Sequence, residues 1–212
     1  KPLRTLLGLT LLKRIILSSK KAGLEEFVVV VGYRQEFIRK AVAKDPDLKD
    51  CVTFVENTEW EKPNGLSVLA AKEALKENFV LLMSDHIFDW KALERLRKQV
   101  INEDEAMLCV DHRLDSIFDM DDATKVRLQG DRISRIGKEL GVYDAVDTGM
   151  FLLTPHIFNV LAENAKNERY SLSESIQEYC NQQKMRTVDI EDVFWQDVDT
   201  KESMKHARKV LI

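Results

Sequence analysis

The segment Glu26-Phe27-Val28-Val29-Val30-Val31-Gly32 allows this chain few folds. Four consecutive valines are apolar on both sides of an extended chain, so the segment reads as a strand covered on both faces and stopped by a glycine. Strands of that kind occur almost only in α/β sheets. The neighbouring segments agree. "LRTLLGLTLLKRIILSSKKAG" fits a helix from Thr10 onward, with Gly23 as its C-terminal stop. "RQEFIRKAVAK" reads as a short amphipathic helix, "CVTFVEN" as a strand, and "GLSVLAAKEALKE" as a helix that Asn64 is placed to cap. "FVLLMSD" reads as a buried strand and "WKALERLRKQV" as the next helix.

Strand and helix alternate to about residue 111, which predicts a mixed, mostly parallel Rossmann-like α/β sheet with helices on both faces. The pattern then changes. "ATKVRLQGDRISRIG" predicts two strands joined by a Gly-Asp turn, and "AVDTGMFLLT" a further strand, so a β-rich insertion is expected near residues 112 to 150. Thr154-Pro155 is expected to open a helix, and Ser171 with Glu174 forms a capping box for another. "KMRTVDI" and "VFWQDVD" are expected as edge strands, and "TKESMKHARKVL" as a closing helix. A single domain over residues 1–212 accommodates all of this.

A net charge of −4 implies no broad basic field for nucleic acid, and no apolar run is long enough to span a bilayer. Three widely spaced cysteines without metal-type spacing suit reduced thiols in the cytoplasm.

In sheets of this kind, ligands bind beyond the carboxyl ends of the parallel strands. Two acidic groups fall there, Asp85 in Ser84-Asp85-His86 and the pair Asp197 and Asp199. Carboxylates that converge from distant positions are what a hard divalent cation takes, and magnesium bound to a nucleotide is the expectation. Simpler roles compete. Asp85 can cap the turn before Trp90, and Asp199 can cap the final helix. His86 can be a hydrogen-bonded turn residue, while His112, His156 and His206 read as surface or packing residues. "DMDD" at Asp119 to Asp122 lacks the ligand spacing of a calcium loop and reads as a solvated loop.

These residues resemble the nucleotidyltransferase family of sugar-phosphate pyrophosphorylases. "KPLRTLLGLTLLKRII" is similar to the tail of that family's glycine-rich signature, "VVVVGY" to its second strand and "NGLS" to its base-contacting loop. "SDH" and "FWQDVDT" resemble its two metal motifs, with Ser84 where glycine is usual. On this register the first strand and glycine-rich loop are expected before Lys1. The runs "ATKVRL", "RIGKEL" and "DAVDTGMF" are similar to the branch that uses inositol 1-phosphate and CTP.

The resemblance implies transfer of CMP from CTP to 1L-myo-inositol 1-phosphate, with magnesium on Asp85, Asp197 and Asp199. Lys1, Asn64, Gly65, Ser67 and Asp85 would bind the nucleotide. Lys138 would meet the acceptor's phosphate, and Asp147, Thr148 and Gly149 its ring hydroxyls. In that family the domain can be fused to a membrane-embedded CDP-alcohol phosphotransferase. Other readings are the same chemistry with another nucleotide or acceptor (hexose 1-phosphate, phosphocholine), a glycosyltransferase with "DVD" as its metal motif, and a catalytically inactive nucleotide-binding regulatory domain.

Overall fold

The computed structural model describes residues 1–212 as a layered α/β fold. The elements run β1 (Thr5–Leu6), β2 (Leu9–Thr10), α1 (Leu11–Lys21), β3 (Phe27–Val31), α2 (Gln35–Lys44), β4 (Val52–Glu56) and α3 (Gly65–Ala70). They continue as β5 (Phe79–Leu82), β6 (His86–Phe88), α4 (Trp90–Arg97), β7 (Ala106–Asp111), β8 (Lys125–Gln129), β9 (Arg132–Gly137) and β10 (Ala145–Leu153). The chain closes with α5 (Ile157–Lys166), α6 (Leu172–Asn181), β11 (Met185–Asp189), β12 (Trp195–Asp197) and α7 (Lys201–Val210).

The main sheet has six strands in the order β5-β10-β7-β11-β9-β8, and β8 also pairs with the start of β10. It is mixed. β7 and β11 pair in parallel, whereas β10 runs antiparallel to both β5 and β7, so β5, β7 and β11 share one direction. Alternation along the pleat gives each face its own core. Ala106, Leu108, Val110, Phe151 and Leu153 face a cluster shared with α5 and α6, and Met107, Cys109, Met150 and Leu152 face another shared with α1 and α4. The β-rich insertion is no separate layer: β9 extends the main sheet through a pairing with β11.

Several local expectations hold for physical reasons visible in the chain. Thr10 Oγ1 accepts from Lys13 N at α1, Gly23 sits at φ +89 beyond its end, and Ser171 with Glu174 completes the capping box of α6. Others are corrected. β3 pairs with β4 in a two-stranded parallel sheet, and its Phe27 to Val30 are only half-buried rather than covered on both faces. β5 is likewise half-buried, at an edge of the main sheet. β11 is not an edge strand, since it lies between β7 and β9. α5 begins at Ile157, because the Thr154 hydroxyl donates to Glu103 O instead of capping the helix. Asn64 does not cap α3; its Oδ1 accepts from Leu172 N at the start of α6. No helix is long and apolar enough to cross a membrane.

Candidate active site

A short two-stranded sheet builds the centre of the site. β6 and β12 pair antiparallel, with Asp197 opposite His86, and Val198 N donates to Asp85 O at 2.9 Å. Alternation puts His86 and Phe88 with Trp195 and Asp197 on one face, and Ile87 with Gln196 on the other. Ile87 anchors the sheet in a small core with Leu6, Leu11, Val198 and Ala207. The expected distant aspartates therefore meet because a three-residue ladder sets their register.

Lys1 Nζ lies 3.4 Å from Asp85 Oδ2 and 3.5 Å from Asp199 Oδ2, so one ammonium touches both acidic groups. Ligand atoms of Asp85, His86 and Asp197 fall within 4.8 Å of one another, as do those of Asp122, Asp197 and Asp199. The capping roles are filled by other residues. Asp89 caps α4 through Lys91 N, and Thr200 with Ser203 caps α7, which leaves Asp85 and Asp199 free of that duty.

The charges respond to one another. The hydrogen bond from His86 Nδ1, at 3.3 Å, is the main cause that holds the Asp85 carboxyl down at about 2. Burial opposes the charged form of His86, yet Asp85, Asp197 and Asp147 together raise its pKa. Burial raises Asp197, whose Oδ1 is enclosed without any hydrogen-bond partner. For Lys1, Asp85, Asp199 and Asp197 outweigh burial and raise the pKa, so the ammonium stays charged. An enclosed carboxylate oxygen lacking a donor, among other carboxylates, fits the hard oxygen set that a divalent cation takes.

The cluster opens into a cavity of about 630 Å³ whose walls include eight aspartates against one lysine, Lys138, and one arginine, Arg113. A polyphosphate entering such a field needs accompanying positive charge. Lys138 is ion-paired to Asp122, and Asp119 and Asp122 line the cavity, so the loop is not purely solvated. His206 is also in the wall, stacked on Phe118 at 4.4 Å, whereas His156 bonds Tyr179 and His112 bonds Asp144 O.

Asp147 lines the cavity, accepts from Gly149 N at 2.7 Å, and has its carboxyl pushed up to about 6, chiefly by burial. Gly149 sits at φ +75, with His86 so close that a Cβ would lie 2.8 Å from its Cδ2. Thr148 corrects an expectation: it is 1% exposed and its hydroxyl donates to Cys109 O, turned away from the cavity. Of the "NGLS" loop, Asn64 lines the cavity; Gly65 packs against Tyr170 O and Ser67 accepts from Asn57. Residues that sequence reasoning missed are Asp111, Arg113 and Trp195, which carry no local pattern.

Residues 1–189 match the MobA-like NTP transferase domain. The chain belongs to this family of NTP transferases. The bifunctional IPC transferase and DIPP synthase of Aquifex aeolicus is 36% identical over 212 residues, all of this chain and 47% of that protein. Its namesake from Thermococcus kodakarensis is 35% identical over 213 residues, covering 97% of this chain and 45% of its own length. The chain thus spans about half the length of the curated relatives it matches. The inositol-1-phosphate CTP transferase from T. maritima superposes with a TM-score of 0.84 at 27% identity, over 96% of this chain and 82% of that one. An apo UDP-glucose pyrophosphorylase superposes at 0.82 with 13% identity over 100% of this chain and 89% of its own, a likeness of fold alone.

Proposed function

We propose that this NTP transferase domain moves CMP from CTP to 1L-myo-inositol 1-phosphate, giving CDP-inositol and pyrophosphate. The observation that carries the reading is the convergence of Asp85, Asp197 and Asp199 near Lys1 at the end of a cavity that also holds Lys138 and Asp147. The relatives named for inositol-1-phosphate transfer support the choice of substrates.

An oxygen of the acceptor's phosphate attacks the α-phosphorus of CTP, and the bond to the β-phosphate oxygen breaks as pyrophosphate leaves. The attacking oxygen is already anionic, so no general base is needed, and His86 is free to hold Asp85. What opposes the step is the approach of one anion to another, and catalysis is mostly positioning and neutralisation of charge. A divalent cation, magnesium in this reading, held by Asp85, Asp197 and Asp199 supplies neutralisation of the phosphate oxygens when bound. Lys1 donates to the departing pyrophosphate. Lys138 exchanges Asp122 for the acceptor's phosphate, and Asp147 with the backbone of Gly149 faces the ring hydroxyls. Asn64 lines the nucleotide side of the cavity, while Gly65 and Ser67 hold its loop in place. Residues 1–212 act as one domain with an acceptor-binding subregion near 112–150, in the cytoplasm, and the longer relatives suggest that it works with or beside a second, CDP-alcohol-consuming activity.

The test is a panel of CTP, UTP, GTP and ATP against inositol 1-phosphate, glucose 1-phosphate and phosphocholine. Pyrophosphate release and the product's ³¹P spectrum are the readouts. CTP with inositol 1-phosphate is expected to be fastest by at least an order of magnitude. Faster turnover of another pair would replace the substrates, and CTP binding without release from any acceptor would make this a regulatory domain.

A further inference from the structure

A row of side chains runs from the end of β7 to Asp85 through the rings of Trp195 and His86. Asp111, at the end of β7, is 1% exposed, and its carboxylate accepts four donors. Arg113 supplies three of them, from its backbone N, Nε and Nη2, at 2.8 to 3.0 Å. The fourth is the indole N–H of Trp195 at 2.8 Å. Arg113 Nη2 also donates to Val193 O, which ties the carboxylate's partner to the segment leading into β12. Trp195 in turn stacks on His86, with ring centroids 5.9 Å apart and planes 16° from parallel. His86 closes the row through Nδ1 to Asp85 Oδ1.

We infer that Asp111 and Trp195 are positioning residues: through the stacked ring of His86 they set the orientation in which Asp85 presents its other oxygen to a cation. The inference rests on the reading of Asp85 as a cation ligand. A buried carboxylate with every acceptor site occupied is a rigid anchor, and a rigid anchor is what the indole N–H needs to fix the plane of its ring. Trp195 and His86 lie on one face of a sheet only three residues long, too short to hold two rings by itself. The ring of His86 is further confined by the backbone of Gly149, where a Cβ would come within 3.0 Å of Nε2. With the ring held by the indole and by Gly149, the hydrogen bond to Asp85 Oδ1 has one available direction, and Oδ2 points to the side where Lys1 and Asp199 gather. Outer partners of this type commonly change metal affinity by about 10- to 100-fold.

The competing reading is that the indole hydrogen bond merely ties β12 to β7. Trp195→Phe separates the two, because it keeps a smaller ring to stack on His86 while it removes the N–H that fixes its plane. Manganese is the probe, and its binding to the full chain without nucleotide is read by electron paramagnetic resonance. Trp195→Phe is expected to weaken manganese binding about three- to tenfold while the far-UV spectrum stays that of the parent. Asp111→Ala should weaken it at least as much, and should it fail to fold the Trp195 variant still decides. Asp85→Ala run alongside distinguishes the two layers of the reading. Loss of binding in Asp85→Ala with affinity within twofold of the parent in Trp195→Phe overturns the positioning role and leaves the cation site standing. Undiminished binding in Asp85→Ala overturns the cation site, and the positioning role with it.

Discussion

Replacing Gly149 by alanine is the sharpest test of how the site is held. Gly149 occupies the left-handed region at φ +75, and an added Cβ would come within 2.8 Å of His86 Cδ2 and 3.0 Å of Met83 Cγ. The backbone conformation alone costs an L-residue roughly 1–2 kcal/mol. Overpacking in an enclosed position adds about 1–3 kcal/mol. The combined loss, about 2–5 kcal/mol, is a large fraction of the roughly 5–15 kcal/mol by which a native fold is stable. For a chain of this size each kcal/mol moves Tm by about 2–4 °C, so a fall on the order of 10 °C is expected. The easiest relief is for the His86 ring to move, which breaks its hydrogen bond to Asp85. Turnover should therefore fall more than stability alone explains, at temperatures well below the melt. Gly141→Ala is the control, since nothing lies within 4 Å of a Cβ there and its φ is ordinary. Circular-dichroism melts and pyrophosphate release at 25 °C are the assays. A Gly149→Ala protein that melts within about 2 °C of the parent and turns over normally would refute the claim that this glycine is shaped by His86.

Asp85→Ala should retain the fold and lose at least about 10²-fold in turnover, as removal of a key electrostatic group does; near-normal CDP-inositol formation would exclude its role. Lys138→Ala should raise the KM for inositol phosphate roughly tenfold and leave that for CTP unchanged, and an unaltered acceptor dependence would remove the contact. Asp147 keeps its proton to about pH 6 in the folded chain but loses it near 3.9 when unfolded. Its contribution to stability is therefore full below about pH 4 and lost as pH rises through about 6, and Asp147→Asn should abolish that slope in urea titrations across the same window. Asn64→Ala removes the acceptor for Leu172 N and should cost about 1 kcal/mol in urea unfolding; an unchanged midpoint would show that water replaces the side chain.

The sequence by itself settled what is local. Periods of two and about 3.6 residues marked most strands and helices. Thr10 and the Ser171/Glu174 pair announced their helix starts, and Gly130 at φ +65 turns the hairpin where a Gly-Asp pair was expected. The strand-end position of Asp85 and the pair Asp197 and Asp199 was legible because hydrophobic runs end where carboxylates begin. The strand His86–Phe88 was not, since three residues carry no period. Nor could periodicity show that β10 enters the sheet between β5 and β7 against their direction, because neighbour choice depends on pairing between distant segments.

Only the tertiary structure brought Asp85 against Asp199 around one ammonium, placed Asp122 in the cavity wall, turned Thr148 inward and tied Asp111 to Trp195. Backbone preferences reach only a few residues along a chain. The placement of charges in this site is fixed instead by strand register and ring packing, whose partners are far apart in sequence.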